Sequence, residues 1–569
     1  MARPNEVVGA LLLEFADLLS MTGGQAFKAR AYEKAAKAVS GHHADISTLD
    51  LKQLEQIPNV GKSTAAKILE YLSTGKIETL EKMRLKMPAG LRALMNIPGL
   101  GPQKAVALHS ELGIGSVEEL TAAIEAGKLE GLRGFGPKTV ENILHGIEVM
   151  QAGNTGRVLI STAMAVAEEI IADLKQVKGT EKITYAGSLR RMKETIGDVD
   201  ILAAANDSGP LMERFAKTPL SEVIVKGPAK TSIRTARGLQ VDLRVVPAKS
   251  WGAALMYFTG SKEHSVSLRT RLVRQGLKLS EYGLFRAEDN ELLAAETEED
   301  VYARLGLPWI PPALREDRGE LDGDLPMLVQ ESDLKGDLHT HTNLTDGVAP
   351  LARMVEAAAK RGYSYYAITD HAKNLPMQRM TDEKMLRQRE EVRALDAGPM
   401  TLLHGTELNI DPDGEVDWDH DFLSKFDITV ASVHSHFSQP SKVMTQRIIR
   451  ACENPYVNII GHLTTRKVLK RPPVDADFDA VFEAAAATGT AIEINAHPDR
   501  LDINDDLILR AKRHGVKFSI DSDAHSTGHL NLMRYGIGMA QRGWLTKAEV
   551  INTWPLAKLR AFVKSKRKI

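Results

Sequence analysis

Residues 337–341 read Asp-Leu-His-Thr-His, closing the short run SDLKGDL, and this stretch decides how the C-terminal half of the chain is read. A strand presents residues i and i+2 on one face, so His339 and His341 aim two imidazoles at one spot. Asp523 and His525 repeat the device in DSDAH, after VKFSI. Between these ends, apolar or β-branched runs precede further ligand types: YYAIT before Asp370-His371, TLLH before Glu407, DITVASV before His434, VNII before His462 and TAIEIN before His497. Helical stretches such as LARMVEAAAKRG and DAVFEAAAATG separate several of them. Strand and helix alternation with functional side chains at strand C-termini predicts a β/α barrel whose site lies on the C-terminal face. The expected metal ligands are His339, His341, Asp346, His371, Glu407, His434, His462, Asp523 and His525. His404, His436 and His497 flank them as outer or substrate-facing groups. Cys452 is the only cysteine, so the ligands are nitrogen and oxygen, a set that suits Zn²⁺, Mn²⁺ or Fe²⁺ without choosing among them.

The chain has 569 residues, enough for roughly three to five domains. Hydrophobic residues at 43% and charged residues at 26% are those of a globular protein, which excludes disordered and fibrous classes. No apolar run reaches membrane-spanning length, and the opening MARPNEVVGALLLEFADLL carries Glu14 and Asp17, so it reads as an amphipathic helix rather than a secretory signal. A cytoplasmic protein is expected, and the lone cysteine fits a reducing compartment. The net charge of −1 decides nothing about nucleic acid, because a basic groove is offset by acidic metal sites elsewhere.

Up to about residue 150 the pattern is helical and contains LEQIPNVGKSTAAKI, LMNIPGLGPQKAVAL and LEGLRGFGPKTVENI. Each sets an apolar residue before a Gly-bearing hairpin, at Gly61, at Gly99 and Gly101, and at Gly134 and Gly136, that opens a new helix. Glycine lets the backbone approach a partner closely, and a helix start offers free N–H groups to phosphate. One copy would be a plain turn; three point to helix-hairpin-helix binding of the DNA backbone, with Lys62, Lys104 and Lys138 adding charge.

A second chemistry lies between about 151 and 320. In GDVDILAAA, Asp198 and Asp200 share one face of a strand, and Asp242 sits in the strand-like QVDLRVV. Three carboxylates on neighbouring strands are what two Mg²⁺ or Mn²⁺ ions need, one activating a 3′-hydroxyl and the other carrying a triphosphate. Upstream, Gly187-Ser188 followed by Arg190-Arg191 supplies N–H groups, a hydroxyl and positive charge for that triphosphate. Nucleotidyl transfer is the expected reaction.

In this order, GSLRR, GDVDIL, VDLRVVP and YFTGS resemble the family X DNA polymerases such as polymerase beta, and the C-terminal third resembles a PHP (polymerase and histidinol phosphatase) domain. The combination is similar to the bacterial family X polymerases over essentially the whole chain. The resemblance implies a multidomain α/β protein: a lyase-like helical domain with helix-hairpin-helix (1–80), fingers with helix-hairpin-helix (81–150), a polymerase beta-like nucleotidyltransferase palm (151–248), a thumb (249–318) and a distorted (β/α)7 PHP barrel (319–569). It implies that Asp198, Asp200 and Asp242 hold the palm metals and that Gly187, Ser188 and Arg191 bind the triphosphate. Tyr257, Phe258 and Gly260 would line the sugar, and Arg244 would pair with an active-site carboxylate. Ser280, in SEYGLF, stands where the family has an Asn reaching the nucleotide's minor-groove edge. Lys67 aligns with the Schiff-base lysine of the lyase domain, with Lys28 and Lys34 as 5′-phosphate binders. For the PHP part the resemblance implies up to three ions, with Glu407 bridging and a water activated against phosphorus; Asp346 replaces a histidine of some PHP phosphatases.

The expected function is a DNA repair polymerase that fills short gaps with dNTPs on gapped or nicked DNA and trims 3′ ends with a 3′→5′ exonuclease. Abasic-site cleavage and 3′-phosphate removal are further expected reactions, and a monomer is the default state. The Pro- and charge-rich PPALREDRGELDGDLP reads as a connector between the two halves. Two alternatives are a phosphoesterase with an inactive polymerase half and a non-catalytic DNA-binding scaffold.

Overall fold

The computed structural model describes residues 4–21, 26–40, 46–57, 59–86, 102–129, 156–219, 221–235, 238–375 and 380–567, with scattered positions between 94 and 147 and Gln378. The chain falls into two compact units, Asn154–Val329 with Gly538–Thr546, and Ala2–Gly153 with Gln330–Ile537 and Lys547–Ile569.

In the first unit a five-stranded sheet runs in the order Lys182–Tyr185, Asp198–Ala204, Gln240–Val246, Lys230–Thr235, Ser221–Lys226. Its central pair is parallel and the other pairings are antiparallel. In DVDILAA, every residue after Asp200 is buried, the continuous apolar run of a strand covered on both faces, and the polar positions stand only at its entry. The parallel register sets Asp200 beside Asp242. The helix Ile160–Leu174 buries Ile160, Ala163, Met164, Ala167, Ile170 and Leu174, spaced at the helical period against the sheet.

Residues after the sheet form the helices Trp251–Thr259 and Lys262–Arg274, a three-stranded antiparallel sheet and the helix Glu298–Arg304. Ser261 caps Lys262–Arg274 by accepting the His264 N–H at 3.1 Å, and Thr297 caps Glu298–Arg304 by accepting the Asp300 N–H at 3.0 Å. Their core is Ala253, Met256, Leu268, Leu272, Leu284, Val301, Tyr302, Ile310 and Leu314.

The second unit begins with helices, among them Pro4–Met21, Ala26–Ser40, Lys62–Thr74, Pro102–Leu112 and Val117–Glu125. It continues as seven parallel strands in sequence order, Gly336–Asp337, Tyr365–Ile368, Thr401–Asn409, Ile428–Ser432, Ile459–Ile460, Ala491–Asn495 and Phe518–Asp521. The first and last strands meet through a parallel bridge between Thr340 and Ala524, with the His341 N–H donating to the Ala524 carbonyl at 2.8 Å. The Leu338 N–H also donates to the Asp521 carboxylate at 2.9 Å. Seven strands closed in this way are the β/α barrel expected from the strand-end ligands, in the distorted seven-stranded form that the resemblance implies. No helix among the described residues is long and apolar enough to cross a membrane.

Candidate functional site

In the five-stranded sheet, Asp198 is exposed, Asp200 half-buried and Asp242 buried. Burial, then the charges of Asp198 and Asp242, push the Asp200 carboxyl up to about 6, while Arg244 and Lys230 pull the other way. Carboxylates brought this close on paired strands could hold divalent cations, whose charge would relieve the repulsion that raises Asp200. Asp242 meets Lys230 Nζ at 2.6 Å and accepts from Gln240 Nε2 at 3.0 Å. Burial works against its charge, but bonds from Lys230, Ser232 and Gln240 hold its carboxyl below the usual range. Gly187 has φ +58, and a Cβ there would lie 2.5 Å from Asp200 Oδ2, so the predicted triphosphate turn and the metal carboxylate are in direct contact.

Arg191 Nε donates to Glu316 at 3.0 Å and Nη1 to the Thr259 carbonyl at 2.5 Å, beside Gly260. Arg190, expected to share the triphosphate, is instead committed to Glu298, with its two terminal nitrogens at 2.7 and 2.9 Å from the carboxylate oxygens. Arg315 grips the same carboxylate at 2.7 and 3.0 Å. Burial opposes the Glu298 charge, yet the two guanidiniums drive its carboxyl down to about 2. Arg244 differs from expectation as well: its guanidinium lies 4.5 Å over the Phe258 ring rather than in an ion pair with an aspartate. A weakly hydrated guanidinium stacks well on an aromatic face, and it still lowers Asp200 through space. Tyr257 is exposed and meets Phe258 edge to face at 5.2 Å. Ser280 ends a strand and accepts the Tyr282 N–H at 3.3 Å.

In the barrel all nine expected ligands converge. Glu407 is central: its carboxylate lies 3.4 Å from His339 Nε2, 3.5 Å from His341 Nε2, and 3.0 Å from His371 Nδ1, His434 Nε2 and His462 Nε2. Asp523 Oδ1 is 3.3 Å from His341 Nε2, and Asp346 Oδ1 is 3.2 Å from His525 Nε2 and 3.5 Å from His371 Nε2. Three overlapping groups bring their ligand atoms within 4.8 Å: His341, Asp346, His371 and His525; His339, His341 and Asp523; His371, Glu407 and His434. Ligands about 2.1 Å from one ion stand roughly 3 to 3.5 Å apart, so the spacing fits. His339 Nε2, both nitrogens of His341 and His371 Nδ1 are buried without a hydrogen bond, as nitrogens turned towards ions are. Burial disfavours the Glu407 charge, but His371, His434 and His339 hold its carboxyl well below the usual range.

Residues 337–497 match the PHP domain family, 254–316 the DNA polymerase beta thumb, 3–77 a helix-hairpin-helix domain and 91–148 a SAM-like helix-hairpin-helix tandem. Over 97% of its length the chain is 36% identical to the DNA polymerase/3′-5′ exonuclease PolX of Bacillus subtilis strain 168, covering 98% of that protein. The chain belongs to the bacterial family X DNA polymerases that carry a PHP domain. It is also 26% identical to rat DNA polymerase lambda, over 52% of this chain and 53% of that protein. The PHP part is 30% identical to a probable phosphatase of Thermoanaerobacter sp. strain X514, over 41% of this chain and 95% of that protein.

Several groups beside the candidate barrel ligands were missed in the sequence. Glu493 takes the back of His339, Nδ1 to Oε1 at 2.6 Å, and accepts the His462 N–H. Asn409 Oδ1 meets His434 Nδ1 at 2.7 Å and is itself held by Asp417. Such partners orient an imidazole and fix its tautomer. Glu493 was visible as the one acid in AIEIN, facing the same way as Asn495. Arg500 stands 3.7 Å from Asp523, and Lys467, 2.7 Å from Asp499, is lowered to about 8 by burial and by Arg500. Of the flanking histidines, His497 pairs with Asp499 at 2.5 Å and His436 is exposed. His404 is three residues from Glu407 on one strand, hence on the opposite face, and stacks on Phe426.

In the helical region Lys67 Nζ donates to Ser63 Oγ at 3.0 Å and lies 5.7 and 5.8 Å over the Phe15 and Tyr32 rings. Lys28 and Lys34 are exposed. Gly61 precedes Lys62–Thr74 with extended backbone and no side-chain cap, and Gly134 has φ +92, with Gly136 just beyond. Gly99, Gly101 and Lys138 lie outside the described residues.

Proposed function

We propose that the protein extends 3′ ends across short DNA gaps at its palm carboxylates and removes 3′ nucleotides at its barrel centre. The observation that carries this reading is that one chain brings Asp200 beside Asp242, with Asp198 on the same strand, and gathers in the barrel eight residues in overlapping candidate metal-ligand groups, with His462 3.0 Å from Glu407. When bound, divalent ions polarise phosphoryl oxygens and lower the pKa of water or of a 3′-hydroxyl. Asp198, Asp200 and Asp242 would hold two Mg²⁺ or Mn²⁺, and the barrel set up to three Zn²⁺, Mn²⁺ or Fe²⁺, with Glu407 shared because it lies within 3.0–3.5 Å of five imidazoles. Gly187, Ser188 and Arg191 receive the dNTP triphosphate. Tyr257, Phe258 and Gly260 shape the sugar pocket, and Ser280 faces the minor-groove edge with a short hydroxyl. The hairpin glycines Gly61, Gly99, Gly101, Gly134 and Gly136 contact the backbone of gapped or nicked DNA. Lys67, flanked by two rings and served by Lys28 and Lys34, is the lyase candidate. At the barrel, Arg500 and Lys467 add positive charge for a scissile phosphate. The protein acts as a monomer in the cytoplasm, in DNA repair.

The test uses a 5′-labelled primer on one-nucleotide-gapped DNA with Mn²⁺, with and without dNTPs, beside Asp200→Ala and His341→Ala. Extension is lost only in Asp200→Ala, and shortening only in His341→Ala. Shortening that persists in His341→Ala removes the nuclease from the barrel. A wild type that binds gapped DNA but never extends it leaves a phosphoesterase with an inactive polymerase half, and activities untouched by either variant leave a scaffold.

A further inference from the structure

The segment Gly538–Thr546 follows the last barrel strand in sequence yet belongs to the unit that holds the palm carboxylates. It is a built part of that unit. Leu545 accepts the Val329 N–H at 2.9 Å, Gln541 donates to the Val329 carbonyl at 2.9 Å, and Trp544 packs against the core around Tyr302 and Leu314. Its most informative residue is Arg542, which is buried. A guanidinium is buried only where charge and hydrogen bonds compensate its desolvation.

Those partners are Arg191, at the end of the predicted triphosphate turn, and Glu316. Arg542 Nη1 donates to the Arg191 carbonyl at 2.8 Å and to Glu316 Oε1 at 2.7 Å, the same oxygen that receives Arg191 Nε at 3.0 Å. One nitrogen therefore ties down both the backbone of Arg191 and the acceptor that sets its side-chain rotamer. One helical turn earlier, Gly538 grips the next residue: a Cβ there would come within 2.5–3.0 Å of Met192, which has φ +57. Positions 538 and 542 share a helix face, so the contacts act together. Burial opposes the Glu316 charge, but Arg542 and Arg191 keep its carboxyl below the usual range, so the bridge is ionic.

We infer that Arg542 is a positioning residue for nucleotide binding, holding Arg191 through its carbonyl and through Glu316 in the orientation that meets a dNTP triphosphate. This rests on the reading of Arg191 as a triphosphate ligand. The part of the chain that carries the nuclease thereby also supplies a piece of the polymerase pocket.

The test is steady-state gap filling by the full chain as wild type, Arg542→Gln, Arg542→Lys and Arg191→Ala, with exonuclease rate measured on the same preparations. Arg542→Gln raises the KM for dNTP about tenfold, the scale of one charge-assisted hydrogen bond, with kcat nearly unchanged and exonuclease intact. Arg542→Lys, which keeps the charge, recovers much of that loss. A wild-type KM in Arg542→Gln while Arg191→Ala raises it overturns the inference and leaves the reading of Arg191 standing. An unchanged KM in Arg191→Ala removes that reading and the inference with it. A loss that falls on kcat and exonuclease together and is not recovered by Arg542→Lys is a folding defect and equally overturns the positioning role.

Discussion

Gly187→Ala tests whether the palm carboxylate is placed by the glycine turn beside it. The added Cβ would stand 2.5 Å from Asp200 Oδ2, whereas ordinary contact begins near 3.4 Å, so the carboxylate oxygen must retreat by about 0.9 Å. The backbone does not absorb this, because the Ala186 N–H donates to the Asp200 carbonyl at 2.8 Å and the strand is paired on both sides. The displacement therefore falls on one of the three side chains expected to hold the ions. A misplacement of about 1 Å costs on the order of 10²-fold in rate. Alanine at φ +58 adds about 1–2 kcal/mol of backbone strain, too little to unfold a domain by itself. Single-turnover filling of a one-nucleotide gap should slow by about two orders of magnitude, while the exonuclease of the same preparation keeps its rate. Extension within a factor of about three of wild type, under 1 kcal/mol, would refute the idea that contact with Gly187 sets the carboxylate.

Glu493→Gln replaces the anionic acceptor behind His339 with a neutral amide and should weaken metal retention by the barrel about 10- to 100-fold, read as metal content after dialysis, with gap filling intact; unchanged metal content would remove the Glu493 charge from the site. Arg500→Ala deletes the guanidinium near Asp523 and should raise the exonuclease KM for DNA about tenfold or more, as loss of a phosphate contact does; an unmoved KM would reduce Arg500 to a partner of Asp523. Glu298 supplies a pH dependence. Its carboxyl falls from 4.5 to about 2 on folding, which stabilises the native state by about 3 kcal/mol above pH 4.5, and this is lost as pH falls from about 4.5 through 2. Urea unfolding at pH 7 and pH 3 should show about 2 kcal/mol more loss in the wild type than in Glu298→Gln, because at pH 3 the group is not yet through its folded value; equal losses in both would place the acid sensitivity elsewhere.

The barrel was legible because its ligands end apolar runs, a pattern that one strand carries by itself. The palm was legible for the same reason, since Asp198 and Asp200 share one strand face and Asp242 lies in the next run of alternation. What stayed hidden depends on partners distant in sequence. Arg190 and Arg191 are adjacent and chemically alike, but successive residues on a helical turn point about 100° apart. Glu298, 108 residues on, claims Arg190, and Glu316, 125 residues on, claims Arg191. Glu493 is 154 residues from the histidine it orients, and in sequence it was one acid inside a strand. His404 shows the opposite error, because closeness to Glu407 in sequence suggested the site, whereas an odd spacing on a strand sends the ring to the other face.

The two candidate centres also differ in donor type, although Mn²⁺ suits both. The palm offers only carboxylates, one of them exposed, and hard oxygen donors with open positions suit Mg²⁺ or Mn²⁺, which keep several waters and arrive with a nucleotide's phosphates. The barrel offers imidazoles buried around Glu407, backed by Glu493 and Asn409, and such nitrogen donors favour Zn²⁺, Mn²⁺ or Fe²⁺. A magnesium ion gains little from imidazole, and a zinc ion gains little from three carboxylates when a histidine-rich pocket lies on the same chain. Synthesis and trimming act on the same 3′ end in opposite directions, so a shared ion pool would tie their rates together. Ligand sets of different hardness would loosen that tie if the palm takes the magnesium that accompanies dNTPs and the barrel retains its own ions.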